Sequence, residues 1–150
     1  MYEVIAPNFR IEELVHPAIV GKWGDSAISW VHCDAPKTLQ KLRDHLGVPI
    51  TINDWHTGGL YESSGTRLPT GSVGASLSSH KGGFGFDLKF KGLSIDAVYI
   101  HIIQNPDLYP HISRIENIEY TRSSHGRLGL DWLHIEICHD RQGDIYTFRP

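Results

Sequence analysis

From Phe84 to Phe90 the chain alternates large apolar residues with small or polar ones without a break, in the order Phe84-Gly-Phe-Asp-Leu-Lys-Phe90. A strict period of two marks a half-buried strand, because successive side chains point to opposite faces. Phe84, Phe86, Leu88 and Phe90 then share one face, and Gly85, Asp87 and Lys89 the other. Leu133-His-Ile-Glu-Ile137 repeats the pattern, with His134 and Glu136 opposite Leu133, Ile135 and Ile137. Strands of this kind need a sheet with one face covered by helices and one left polar.

The rest of the chain supplies the cover. Asp34 can cap a helix, Pro36 suits its first turn and Gly47 stops it. Leu39, Leu42 and Leu46 give that helix one buried stripe. Ser94 can cap a second helix running to about Gln104, with Ile95, Val98 and Ile102 on its inner side. Val48 to Ile52, Arg114 to Thr121 and Leu130 to Cys138 read as further strands, with a turn over Ser123–Gly129. The first 35 residues, broken by Pro7 and Pro17, read as turns and a short helix wrapping the core. Residues 53–79 are rich in Gly, Ser, Thr and Asn and form a long loop of the kind that carries function. The expected fold is α+β, a mainly antiparallel sheet with helices packed on one side, in a single domain spanning residues 1–150.

Composition narrows the function classes. A formal net charge of −3 gives no electrostatic case for nucleic acid or an anionic membrane. No apolar run is long enough to span a bilayer, and the N-terminus lacks a signal peptide's charged-then-apolar layout. Cys33 and Cys138 form no CxxC pair and are expected as buried free thiols. The ten histidines are a rich supply of metal ligands, among which position has to choose.

If the two alternating strands are neighbours, Asp87 and His134 project from the same polar face. His80 lies in the loop just before the first of them, able to curl over that face. Gly82, Gly83 and Gly85 are expected to leave space there for an ion or substrate. Two imidazoles and a carboxylate are a recurrent ligand set for catalytic Zn2+, which keeps a position open for water. Such a metal acidifies water and polarises a peptide carbonyl, while a nearby carboxylate takes the proton. Asp131 and Glu136 are both candidates for that carboxylate. Glu136 shares the face of His134 but stands roughly 6.6 Å along the strand. Asp131 has the wrong parity unless the strand starts near Trp132 or bulges there. A lone strand histidine is more often structural than a ligand, so the combination carries the reading.

Ser78-Ser-His-Lys-Gly-Gly-Phe-Gly-Phe-Asp87 resembles the S-x-H-x-x-G-x-A-x-D signature of the D-Ala-D-Ala carboxypeptidase/hedgehog superfamily of zinc peptidases. Asp131-Trp-Leu-His134 is similar to that family's second motif, an acidic residue three before the last metal ligand. Together with the order of elements, the resemblance covers roughly residues 35–140. It implies zinc ligands at His80, Asp87 and His134, a catalytic base at Asp131 rather than Glu136, and a hedgehog/DD-peptidase-like fold. Ser64-Gly-Thr-Arg67 looks like the family's segment carrying a substrate-binding arginine, which makes Arg67 the candidate for that role. Two positions depart from the pattern: Gly85 stands where the motif usually has alanine, and Asp131 where many members have glutamate. The latter, with "TINDWHTGG", looks more like small phage-encoded, endolysin-like members. Trp55 and His56 in that segment are either cleft-lining residues or a packed Trp beside a surface His.

The function these features imply is zinc-dependent hydrolysis of a peptide bond in peptidoglycan stem peptides, by a DD- or LD-type carboxy- or endopeptidase. If phage-encoded, such a protein would stay in the host cytoplasm until lysis or be associated with the virion. The alternative is a phage structural or binding domain whose zinc is not catalytic. The presence of Asp131 weighs against it, since a purely structural zinc needs no base and prefers four protein ligands.

Overall fold

The computed structural model describes residues 4–119, 132–139 and 141–149. Its first part is a small antiparallel ribbon of β1 (Val4–Ala6) and β2 (Phe9–Arg10). Two short helices follow, α1 (Ile11–Leu14) and α2 (Pro17–Trp23), then a 3-10 turn over Gly24–Trp30. The ribbon was not legible in the sequence, because strands of two or three residues are too short to show a period. Helix α3 (Ala35–Leu46) closes on Gly47, whose φ of 66° is the left-handed conformation that glycine adopts freely. Its Leu39 and Leu42 are fully buried, and Leu46 packs at the margin of the same core. Helix α4 (Ile95–Gln104) is capped by Ser94, which accepts the amide of Ala97 at 3.2 Å.

A mixed five-stranded sheet runs in the order β3-β4-β6-β5-β7. Strands β3 (Ile50–Thr51), β4 (Gly85–Phe90), β6 (Leu133–Ile137) and β5 (Ile112–Glu116) pair antiparallel in turn, and β7 (Tyr146–Phe148) adds parallel to β5. The α+β class and the mainly antiparallel pairing thus hold, with one parallel pair that the sequence pattern did not announce. Strand β5 begins two residues earlier and ends five earlier than its apolar pattern suggested. The expected turn over 123–129 lies outside the described residues.

One hydrophobic cluster holds the layers together. Phe86 and Leu88 of β4, Leu133, Ile135 and Ile137 of β6, and Ile112 and Ile115 of β5 join Leu39 and Leu42 of α3 and Val98 and Ile102 of α4. Burying each such side chain contributes about 1.5–3 kcal/mol, which fixes the strand register by penalising any one-residue slip. Among the described residues, no helix is long and apolar enough to cross a membrane.

The glycines before β4 do not open space, contrary to the expectation above. A side chain at Gly83 (φ 77°) would meet the carbonyl oxygen of Trp30 at 1.9 Å, and one at Gly85 would meet the Ser79 hydroxyl at 2.2 Å. They are small because the chain crosses itself tightly here. Cys33 and Cys138 are free, but Cys33 is exposed and Cys138 half-buried, so neither is the buried thiol expected.

Candidate metal centre

The register of β4 against β6 places Asp87 directly opposite His134. Directly opposed residues of an antiparallel pair have Cβ atoms about 4.5–5.5 Å apart, close enough for their side chains to meet. They do: His134 Nδ1 lies 2.7 Å from Asp87 Oδ1. His80 reaches the same point from the loop, its Nε2 being 3.2 Å from Asp87 Oδ1 and 3.2 Å from His134 Nδ1. The three side chains are 5%, 13% and 12% exposed for His80, Asp87 and His134.

The outer edge of each imidazole is tied down. His80 Nδ1 faces the Gly65 carbonyl oxygen at 2.9 Å, which holds the ring with Nε2 toward Asp87. His134 Nε2 lies 3.3 Å from Ser79 Oγ and 3.8 Å from Glu136 Oε1. Glu136 is in turn paired with Arg114, whose Nη1 is 3.1 Å from Oε2. Arg114 stacks over Phe148 of β7, and Phe148 stands edge-on to the His134 ring at 5.6 Å. Glu136 is therefore on the far side of the ring from Asp87. Its carboxylate lies beside the outer nitrogen of His134.

The charges respond to this crowding. Burial by itself would raise the Asp87 carboxyl, but hydrogen bonds from His134 and His80 hold it well below the usual carboxylate range. Burial would likewise lower His134, yet its hydrogen bond to Asp87 and the nearby Glu136 carboxylate push it up to about 9. Two imidazole nitrogens facing each other and a carboxylate across 2.7–3.2 Å need a positive charge between them, a proton or a metal. Donors about 2.0–2.2 Å from a zinc ion stand roughly 2.9–3.5 Å apart, depending on coordination number. The donor set fits such an ion; the two 3.2 Å spacings fall in that range, and the 2.7 Å between His134 Nδ1 and Asp87 Oδ1 is shorter.

Arg67 joins this centre: its Nη2 donates to Asp87 Oδ2 at 3.3 Å and its Nε to the Ser63 carbonyl. A guanidinium has five N–H groups, so donors remain for a ligand in the cavity that Arg67 lines. That cavity, of about 310 Å3, is bounded by Leu60, Tyr61, Ser64, Arg67, Asp87, Lys89 and Trp132 among others. Asp131 lies outside the described residues, next to Trp132.

Lys89 is a site residue that sequence reasoning missed. Its Nζ donates to the Ile52 carbonyl at 2.8 Å and to Ser64 Oγ at 2.6 Å, and sits 4.1 Å from the centre of the Tyr61 ring. Burial depresses its ammonium to about 8, despite the charges of Asp87 and Asp54. Its alternation onto the Asp87 face was visible, but nothing in the pattern told a cavity-lining lysine from a solvated one. Trp55 and His56 do not line this cavity: Trp55 is packed, and its indole N–H donates to the Val15 carbonyl at 3.3 Å.

No protein-family model, curated protein or solved structure matches this chain.

Proposed function

We propose that the chain is a zinc metallopeptidase acting on the peptide stems of peptidoglycan, with His80, Asp87 and His134 as the metal ligands. The convergence of their three donor atoms beside a cavity carrying a cationic rim supports the reading most directly. The resemblance of residues 78–87 and 131–134 to the hedgehog/DD-peptidase motifs supports the substrate class and the finer fold assignment.

Zinc bound there would supply a Lewis acid that polarises a peptide carbonyl. The chain's own groups then have separate tasks. Arg67, anchored on Asp87 and Ser63, would hold the carbonyl oxygen or a terminal carboxylate of the stem peptide. Lys89 adds a second positive charge on the same wall, suited to a peptide's carboxylate. Asp131, three residues before His134, would accept the proton of the attacking water and return it to the leaving amine. Glu136 and Gly65 keep the imidazoles turned inward so that no ligand has to reorient as the metal enters.

Digestion of purified peptidoglycan, followed by mass spectrometry of the released muropeptides, tests this reading. New amino termini within the stem peptides, and none from casein, are expected. Zinc-loaded protein that leaves stem peptides intact would instead point to the binding or structural alternative.

A further inference from the structure

A second group of imidazoles surrounds Asp34, away from the residues described above. Asp34 stands at the N-cap position of α3, yet its carboxylate caps no helix amide. It turns instead toward His32, two residues before it, and toward His111 and His139 from distant parts of the chain. Asp34 Oδ2 lies 3.9 Å from His32 Nδ1, 3.7 Å from His111 Nδ1 and 3.9 Å from His139 Nδ1. Donor atoms of His32, Asp34 and His139 all fall within 4.8 Å of one another. The rings of His32 and His139 meet edge to face at 4.8 Å, and Cys33 Sγ is 3.8 Å from the same carboxylate oxygen.

These spacings are too long for hydrogen bonds, whose donor and acceptor approach within about 3.2 Å. They are a few tenths of an ångström beyond the roughly 3.3–3.5 Å that separates nitrogen and oxygen donors around a tetrahedral zinc. We propose that His32, Asp34 and His139 form a second site for a zinc-class divalent cation, with His111 beside the shared carboxylate. Imidazole-rich sets with one carboxylate suit zinc, nickel or copper rather than calcium or magnesium.

The site's position indicates what it does. His139 follows β6, five residues after His134, and His111 immediately precedes β5. The amide of His32 donates to the Gly83 carbonyl at 2.9 Å, within the turn that leads from His80 to Asp87. A cation here ties the segment before α3 to the end of β6, and so braces both backbones that present the first centre.

The test uses tag-free, metal-stripped full-length protein titrated with Zn2+ alone, for wild type, His139→Ala, Asp34→Asn and His134→Ala. The His139 side chain is 85% exposed, so its removal leaves the core intact. Wild type is expected to bind two equivalents, and each variant one. One equivalent in wild type that is lost in His139→Ala and Asp34→Asn but kept in His134→Ala supports the second site while removing the peptidase centre. A wild-type stoichiometry that persists in both His139→Ala and Asp34→Asn overturns the proposal.

Discussion

Gly85→Ala separates what the geometry demands from what the motif tolerates. The superfamily signature that this chain resembles usually carries alanine at this position, so the motif predicts no penalty. The structure predicts a large one. A Cβ on Gly85 would lie 2.2 Å from Ser79 Oγ, 2.8 Å from Ser79 Cβ and 2.9 Å from the His80 backbone nitrogen. The hydroxyl can rotate away, but the His80 nitrogen cannot, and it falls about 0.5 Å short of the 3.4 Å at which ordinary contact begins. His80 must therefore move by several tenths of an ångström, beyond the roughly 0.2 Å tolerance of a metal–ligand distance. Overpacking of this kind costs about 1–3 kcal/mol in stability, and a displaced ligand should weaken zinc binding about 10–100-fold, as for a lost supporting contact. Urea unfolding and competition with a chromophoric zinc chelator measure the two effects. Ser79→Gly in the same chain should recover part of the stability, since it removes the two Ser79 contacts and leaves the one to His80. A Gly85→Ala protein with wild-type stability and zinc affinity would refute the reasoning.

Glu136→Gln should weaken zinc binding about 10–100-fold with unchanged circular dichroism, because the carboxylate that orients His134 is lost; an unchanged affinity in the chelator competition would deny Glu136 that role. Arg67→Lys should lower kcat/KM for stem-peptide cleavage about 100-fold with zinc content retained, since an ammonium cannot reproduce the two-sided guanidinium contacts. Burial pushes the Tyr109 phenol up to about 12 from an ordinary value of 10.0. The folded protein then holds that proton more tightly than the unfolded chain, so the stabilisation is present below about pH 10 and fades as pH rises through 12. Denaturation midpoints across that range should fall less steeply in Tyr109→Phe than in wild type.

The parts of this molecule that could be read in advance are those where one physical rule dominates. Alternation over Phe84–Phe90 and 133–137 announced both central strands and placed Asp87, Lys89 and His134 on the polar face. A burial pattern of period two leaves little freedom once one face is covered. Helix α3 announced itself through its stripe and stop signal, and α4 through its cap and stripe. Pairing was not legible, because no local signal says which strand lies beside which; the Asp87–His134 register is a long-range fact. Strand β7 and the β1–β2 ribbon, two or three residues each, were too short to show a period. The glycines around residue 83 were read as making room, whereas they let segments touch, since a sequence does not reveal what approaches a missing side chain. Asp34 was expected to serve its helix and instead faces three histidines, two of them remote in sequence. Arg67 could be singled out by its motif, but the anchor it finds on Asp87 depends on how the loop folds back.

Elemental zinc analysis of wild type beside His80→Ala, Asp87→Ala and His134→Ala, each assayed on purified peptidoglycan, bears most directly on the central claim. The account predicts that every variant carries one zinc fewer than wild type and releases no stem-peptide ends. Variants that retain the wild-type zinc content, or that still cleave, would contradict it.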